Sequence, residues 1–438
     1  MFTVFGPHRA GAPRHPPDAV RARPTRHSAG VVLLGGLFAT SALATDGLEP
    51  IASSMRANAR GGADVAVGDT ALSQIDNPAI LAWYHETRYR LDLDGQLGFA
   101  TAPWRGPYET ANSEAQFIPL GSAGFLTPLD KQNVLGLALH SKAGLGTRYR
   151  MRHLLIPWMD RQVGGDLKVV DAQVNLGYRL SDKLALGAGA RVELATAKFS
   201  TVLGPADVDF SRAYAVGGGF QLGAHYRARP NLAFGLAYRS PTWYGDLDGA
   251  NVDASLFGVL PVSLGAGRIE NFRLPQRVAA GAAWDVTTWL KLVTEARWLN
   301  YNGSTFHDTD LAADGVLQIR YPFPLGYRDQ WIGMLGAEFR LSEHWVFGTG
   351  YHYATAPVPP RNMLPMGATI SQHHITLGLR YEAQHWWAGV GYVLALPTRL
   401  AGGGQSAIPL GVDYAHGEIE QTQHILALGL GFSWGGTR

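Results

Sequence analysis

Ser371, His373 and His374 come closer to a hydrolytic site than any other residues of this sequence. A lipase or deacylase needs a serine beside a histidine that a third group orients. No orienting partner can be identified near these three residues. Neighbouring residues in a strand point to opposite faces, so His373 and His374 also make a poor metal pair. The sequence therefore predicts no enzyme, no metal site and no cofactor.

Other chemical motifs are equally weak. Gly402-GGQSA matches a relaxed dinucleotide fingerprint, but no strand precedes it and no helix follows it. The sequence contains no H-E-x-x-H, no G-x-S-x-G and no P-loop. It has no cysteine, which excludes disulfides and thiolate metal sites. Transport, binding and structural roles remain.

The N-terminus has the form of a secretory signal. Arginines precede a short apolar run that ends in an Ala-x-Ala pattern at Ala42–Ala44, so residues 1–44 are predicted to be removed. The first 20 residues are unusual for a signal, and Val20 is an alternative start. Without the five arginines and Asp18 of this leader, 32 basic and 34 acidic residues remain. A nucleic-acid partner is therefore not expected.

Alternation with a period of two dominates the chain after residue 88. Within Val170–Leu180 one face carries apolar side chains and the other carries Asp171, Gln173 and Asn175. Strands of this kind form either a soluble β-protein or a membrane barrel. Strand length and the arrangement of the turns distinguish the two.

Six tight polar turns begin near residues 129, 180, 227, 285, 341 and 382. Seven long connections lie between them, at about 100–114, 148–166, 200–210, 240–271, 300–328, 355–371 and 397–419. Short turns on one side and long loops on the other are typical of outer-membrane barrels. The fold class predicted for residues 88–438 is therefore all-β, a transmembrane antiparallel barrel of about 14 strands; a secreted soluble β-protein is the alternative.

Residues 45–87 precede the first strand and lack β-alternation. They are rich in small residues and contain Asn77-Pro78-Ala79. Fourteen strands enclose a lumen that side chains cannot fill, so this segment is predicted to plug it. The combination resembles the FadL-type long-chain fatty-acid transporter family, whose N-terminal hatch carries an Asn-Pro-Ala motif. Further resemblance lies in His140–Tyr149, in Leu274–Trp284 and in Arg328–Asn362.

The resemblance implies that outer loops capture ligand, that a pocket above the hatch receives it, and that a gap beside a kinked strand releases it sideways. Asn77, Pro78 and Ala79 would take part in gating. The matching strand is about Val134–Tyr149, with Gly144 and Gly146 as the predicted kink positions. Glycines inside a strand also suggest a bulge on their own, although they can be ordinary barrel glycines.

Four loop segments are unexpectedly apolar: 153–159, 256–264, 319–325 and 356–366. The residues predicted to capture hydrophobic ligand are Leu154, Leu155, Ile156, Trp158, Met159, Phe257 and Leu260. These segments can also fold over one another as a lid. Arg148 and Arg150 are candidate contacts for a carboxylate, or else for phosphates of outer-leaflet lipid.

The function predicted from these features is passive uptake of hydrophobic molecules across a bacterial outer membrane. Long-chain fatty acids are the first candidate ligand and aromatic hydrocarbons the second. A non-transport barrel such as an adhesin and an outer-membrane lipase are the alternatives. The expected partners besides the ligand are outer-membrane lipid, lipopolysaccharide and, during biogenesis, the barrel-assembly machinery. A monomer is expected, because a closed barrel has no free edge.

Overall fold

The computed structural model describes residues 46–85, 89–114, 117–316, 318–367 and 369–435. All of them belong to one structural unit. The predicted leader, residues 1–44, and the predicted boundary at residues 87 and 88 lie outside the described residues. In the described ranges no helix is both long and apolar enough to cross a membrane.

Strands make up most of the described chain. In order they are β1 Tyr89–Thr101, β2 Trp104–Arg105, β3 Thr110–Ala111, β4 Phe117–Pro128, β5 Asn133–Arg152, β6 Asp160–Arg179, β7 Leu184–Leu203, β8 Ala206–Arg229, β9 Leu232–Arg239, β10 Thr242–Leu256, β11 Leu260–Leu274, β12 Arg277–Asp285, β13 Leu290–Leu299, β14 Asp310–Asp314, β15 Gln318–Pro322, β16 Gln330–Arg340, β17 Trp345–Ala354, β18 His373–Glu382, β19 Trp386–Ala401 and β20 Glu418–Trp434. The short helices are α1 Met55–Asn58 and α2 Val412–Ala415, with 3-10 turns at Ala71–Ile75, Pro78–Tyr84, Tyr301–Gly303, Pro360–Asn362 and Pro365–Gly367.

Fourteen of these strands form one closed antiparallel barrel. The order around it is β1, β4 to β9, β12, β13 and β16 to β20. The barrel closes where β20 pairs with β1, from Tyr89 opposite Trp434 to Thr101 opposite Thr422. The remaining strands belong to loops, and the hairpin β10–β11 extends the sheet beyond β8. The predicted 14-stranded barrel is confirmed.

The two faces of the barrel are opposite in character to those of a soluble sandwich. On β6 the side chains of Val174 and Leu176 are exposed, whereas Gln173 and Asn175 between them are buried. Exposed aromatic residues mark two levels of the outer wall: Tyr89, Tyr178, Trp284, Trp345, Trp386 and Trp434 near the short turns, and Phe99, Phe117, Tyr214, Trp331 and Tyr353 towards the long loops. An apolar band between aromatic girdles is the outer surface that a bilayer requires.

Four of the seven predicted long connections exist as loops, and the one predicted at 240–271 is mostly the β10–β11 hairpin. The prediction was wrong at 200–210 and too wide at 148–166, because β7 and β8 run to a two-residue turn and β5 and β6 extend to Arg152 and Asp160. Gly204 makes the first of these turns with a φ of +59°. Glycine adopts this left-handed conformation without steric cost, so the strands can continue to the turn.

The segment of residues 46–85, called here the N-terminal segment, lies inside the barrel. Its side chains and backbone contact strands all around the barrel, among them β1, β5, β8, β9, β12, β13, β16 and β18. Two wall glycines permit this close approach. A Cβ at Gly187 would lie 2.2 Å from the backbone nitrogen of Ala79, and one at Gly235 would lie 1.9 Å from the carbonyl oxygen of Val65.

Candidate functional site

An apolar cavity of about 80 Å³ lies on the loop side of the N-terminal segment. Aromatic rings from β7, β11 and the long loops form much of its wall. Phe199 and Phe323 have ring centroids 5.9 Å apart, and Phe306 lies 5.5 Å from Tyr327. The other apolar lining residues include Leu145, Leu167, Ala197, Ile269, Phe272, Leu311, Leu325 and Met366. A cavity with this lining suits a small hydrophobic ligand.

Loop residues hold this wall in place through a few buried hydrogen bonds. The Tyr327 hydroxyl donates to the carbonyl oxygen of Gly367 over 2.7 Å and accepts from Thr369 Oγ1 over 3.0 Å. Burial raises the pKa of Tyr327, so its hydroxyl stays neutral. The neutral ring therefore presents an apolar face to the cavity while its oxygen connects two loops.

Charged groups beside the cavity neutralise one another. Lys142 Nζ donates to both carboxylate oxygens of Glu193, over 2.7 and 2.9 Å, and to Thr242 Oγ1 over 3.0 Å. Arg191 and the Tyr244 hydroxyl donate to the same carboxylate. A buried charge is tolerated only when it is paired in this way. This cluster therefore offers no spare cation to an anionic ligand.

The first residues of the N-terminal segment contact β5 and the long loop that follows β13. Leu48 accepts a hydrogen bond from the backbone nitrogen of Gly144, and its own nitrogen donates to the Tyr301 hydroxyl over 2.8 Å. Glu49 is buried between Arg239 and Arg277. Burial alone would raise the pKa of Glu49, but the two arginines hold it below its ordinary value, so the carboxylate stays ionised.

Asn77, Pro78 and Ala79 connect the N-terminal segment to the wall. Asn77 Oδ1 accepts from the Ala79 nitrogen over 3.1 Å and thereby caps the 3-10 turn that Pro78 begins. Asn77 Nδ2 donates to the carbonyl oxygens of Val65, over 2.8 Å, and Ala224, over 3.1 Å. One buried side chain thus joins two parts of the segment to β8.

Strand β5 separates from β4 halfway along its length. Their ladder ends where Ser122 faces His140, whereas β5 continues to pair with β6 as far as Arg152. A register shift follows between Ser141 and Ala143. Gly144 and Gly146, the predicted kink positions, lie just beyond this bulge, in the part of β5 that β4 no longer accompanies. Among the described residues, no backbone ladder therefore joins β4 to β5 at this level.

The predicted capture residues lie in two exposed loops and none of them lines the cavity. Trp158 is 82% exposed and Leu155 is 55% exposed, whereas Ile156 is buried and Leu154 and Met159 are half-buried. Phe257 and Leu260 are exposed at the tip of the β10–β11 hairpin. Two predicted carboxylate contacts, Arg148 and Arg150, are exposed on the outer face of β5.

Sequence reasoning missed Phe199, Phe272 and Phe306. The apolar stretches 319–325 and 356–366 contain Phe323, Leu325 and Met366 and so carried part of the signal. Phe199 sits beside a bulge between β7 and β8, which interrupts the alternation that would have placed it inside. Within the described ranges, no cluster of three or more His, Asp or Glu side chains could hold a metal ion.

A family model of outer membrane protein transport proteins (OMPP1/FadL/TodX) matches residues 38–385. The chain belongs to this family. The resemblance inferred from Asn77-Pro78-Ala79 and its surroundings is thereby confirmed. The protein is an outer-membrane β-barrel of a family of transporters for hydrophobic compounds.

Solved structures of the family share the fold at low sequence identity. The P. putida toluene transporter TodX matches with a TM-score of 0.74 and 19% identity over 89% of this chain and 99% of its own. The Ralstonia pickettii toluene transporter TbuX gives 0.71 and 19% over 90% and 100%. A Pseudomonas aeruginosa FadL homologue gives 0.72 and 14% over 89% and 100%. Among curated proteins, no relative was found.

Proposed function

We propose that this protein carries apolar molecules passively from the cell surface through the cavity and out sideways between β4 and β5. The proposal rests above all on the apolar, aromatic-lined cavity that lies directly over a filled barrel. Such a cavity is of no use to an adhesin, and its lining includes neither the serine nor the histidine that a serine hydrolase needs. No catalytic step is part of the proposed function.

The sideways route is supported by the contacts of the N-terminal segment, which we propose acts as a hatch. Arg60 Nη2 donates to Asp64 Oδ1 over 2.7 Å within the segment, and Arg60 Nη1 donates to Glu338 Oε1 on the wall over 3.0 Å. Glu295 Oε2 accepts from the backbone nitrogens of Asp64 and Val65 over 2.7 and 2.9 Å. Moving the segment out would break many buried charged contacts, whereas the gap beside β5 has no ladder to break.

In this mechanism Asn77, Pro78 and Ala79 hold the hatch against β8. A shift of the hatch at Leu48, where it contacts Gly144 of β5, opens the gap. The hydrogen bond between Gly144 and Leu48 links the two places directly. Release into the membrane needs only a downhill concentration gradient. Gly144 and Gly146 leave that part of β5 without side chains that would obstruct the gap.

We propose a neutral aromatic molecule as the ligand, because the lining of the cavity favours one. Stacked and edge-on rings such as Phe199, Phe306 and Phe323 offer the geometry that another aromatic ring prefers. The nearby cation Lys142 is already paired with Glu193. Long-chain fatty acids are the second candidate, because the apolar lining of the cavity also suits an acyl chain.

The exposed loops are the proposed site of first capture. Leu155, Trp158, Phe257 and Leu260 present apolar surface above the barrel, where dissolved hydrophobic molecules arrive. Half-buried and buried neighbours in the same loop, Leu154, Ile156 and Met159, would continue that surface inwards. Arg148 and Arg150 could attract an anionic ligand but stand on the outer wall, away from the cavity.

Uptake measurements test this function. Cells that lack their own transporters of this kind would express the protein or carry an empty vector, and initial uptake of labelled toluene and labelled oleate would be compared. Faster uptake of toluene than in the vector cells supports the aromatic route, and faster uptake of oleate supports the second candidate. An assembled barrel that accelerates neither compound would contradict transport and favour a non-transport role.

The division of the chain is also a proposal: residues 1–44 as a cleaved signal, 45–87 as the hatch and 88–438 as the barrel. Export, insertion by the barrel-assembly machinery and a monomeric state belong to the same proposal. N-terminal sequencing of protein purified from outer membranes tests the cleavage site. A first residue well beyond Thr45 would contradict it, because Asp46 and Leu48 would then be missing from the segment.

A further inference from the structure

A polar groove of about 90 Å³ interrupts the outer wall on the loop side, across strands β5 to β8. Arg148, Gln162, Lys198 and Ser200 line it together with Asp166. At its base Gly164 faces Arg148 on one side and Ser200 on the other. A Cβ at Gly164 would lie 2.4 Å from the carbonyl oxygen of Thr147, so the absence of a side chain there keeps the groove open.

Positive charge is concentrated at this groove. The outer faces of the four strands carry Arg148, Arg150, Arg152, Lys168, Lys198 and Arg212, against the carboxylates Asp160, Asp166 and Asp209. Asp166 is already engaged, by Arg212 over 3.0 Å and by Lys168 over 3.6 Å. In the described part of the chain, no carboxylate lies within ion-pair distance of Arg148 or Lys198. The groove therefore presents two cations without an ion-pair partner among the described residues, and Asp166, which lies opposite Lys198 on the neighbouring strand, is engaged by other cations.

The position of the groove relative to the membrane is fixed by the exposed apolar band. Val216, which is 65% exposed, belongs to the apolar band. Tyr214 belongs to the aromatic girdle and pairs with Thr196, which in turn pairs with Lys168. Lys198 and then Arg148 lie two and four residues further along the strands, roughly 7–13 Å beyond that level. This is the depth at which lipid headgroups begin, just outside the acyl chains.

We propose that the groove binds a phosphate group of a phosphorylated outer-leaflet glycolipid, the anionic lipid class of the bacterial surface. Arg148 and Lys198 would supply charge-assisted hydrogen bonds, while Gln162 and Ser200 would add neutral donors. Glycolipid acyl chains would lie along the exposed apolar band below. Basic pockets at this depth are the usual form of lipid headgroup recognition. The inference does not depend on which compound the barrel transports.

Lipid binding by the purified, assembled protein in non-ionic detergent tests the proposal. Native mass spectrometry would compare bis-phosphorylated lipid A, the same lipid without phosphates, and oleate. The test variant is Arg148→Gln with Lys198→Gln. The control is Arg105→Gln with Arg399→Gln, which removes two exposed arginines that Glu418 and Glu420 already pair. Unheated gel mobility would confirm a closed barrel in each case.

We expect the test variant to bind phosphorylated lipid A at least about tenfold more weakly than the unmodified protein does. The affinity of the control variant should be unchanged. An equal loss in the control, or equally tight binding of the lipid without phosphates, would overturn the proposal. A variant that loses oleate binding instead would assign the groove to the carboxylate of a free ligand and also overturn it. If the double variant does not assemble, Ser200→Tyr fills the groove without removing either cation and must give the same loss.

Discussion

The Asn77 amide takes part in three hydrogen bonds, two within the N-terminal segment and one, to Ala224, with the barrel wall. The sequence could single out Asn77 because an Asn-Pro pair caps and begins a turn by local chemistry. Its partner Ala224 could not be predicted. That contact depends on the register of β8 relative to a segment 147 residues away. The local geometry of this turn could therefore be predicted from the sequence, whereas its contact with the barrel wall could not.

Replacing Asn77 by alanine leaves the carbonyl oxygens of Val65 and Ala224 without this donor. We expect Asn77→Ala to weaken the seating of the segment by about 1–3 kcal/mol and to change uptake several-fold while the barrel still assembles. Uptake rate and unheated gel mobility measure the two effects. Asn133→Ala, in an exposed short turn, is the control. Unchanged uptake in Asn77→Ala would exclude a gating role.

Phe199 stacks on Phe210 and Phe323 with centroid distances of 4.8 and 5.9 Å. If the cavity is the binding site, Phe199→Ala should weaken binding of an aromatic ligand about fivefold, because each aromatic pair contributes about 0.5–1.5 kcal/mol. Ligand titration of purified protein measures this. Phe234→Ala removes a ring from the exposed outer face and should have no effect. Equal losses in both variants would point to the barrel surface instead.

The exposed loop residues make a separate prediction. Leu155→Asp with Trp158→Asp places two charges in the proposed capture surface and should slow uptake most at low ligand concentration. Both side chains are more than half exposed, so assembly should be unaffected. Uptake measured over a range of concentrations would separate slower capture from weaker cavity binding. Failure to assemble would instead assign the loop to a structural lid.

At the scale of elements, turns and strand periodicity carried most of the information. The six short turns and the alternating strands sufficed for the number of barrel strands. The hairpin β10–β11 was predicted as a loop, because register shifts and the positive φ values at Gly245, Gly249 and Gly265 interrupt its alternation. A strand with several bulges loses the two-residue alternation of apolar and polar side chains by which it could be predicted from the sequence.

Strand β5 provides the test of the proposed exit. Gly144→Val with Gly146→Val adds branched side chains beside the missing ladder and should reduce uptake without preventing closure of the barrel. Uptake in whole cells and gel mobility measure the outcome. The control is Gly95→Val on β1, where a Cβ would meet nothing within 4 Å. Uptake equal to that of the unmodified protein would argue against release at this place.

The whole molecule depends on ion pairs between the N-terminal segment and the wall. Arg60 is buried and contacts Asp64, Asp69 and Glu338. The inward position of such charges was predictable, because an enclosed polar face follows from an apolar outer one. The pairing was not, since it joins residues up to 278 positions apart.

Arg60→Gln should lower the free energy of unfolding by about 3–5 kcal/mol, because the buried carboxylates of Asp64 and Glu338 and the half-buried carboxylate of Asp69 lose their shared cation. A loosened segment should also raise ion conductance in planar bilayers. Arg268 contacts Asp246, Glu270 and Asp314 outside the barrel, so Arg268→Gln is the matched control and should change neither property. A closed, stable Arg60→Gln barrel would show that the segment is held by packing alone.

The pairing of β1 with β20 sets an order of events for the growing molecule. The ring can close only after the last strand has been made, and by then residues 46–85 have long been available at its other end. Strands can therefore gather around the segment, which never has to pass through a finished wall. If the same residues followed β20 in the sequence, every contact would still be available, but the segment would no longer be present before the strands assemble. The place of this segment in the chain is thus part of how the molecule comes to be filled.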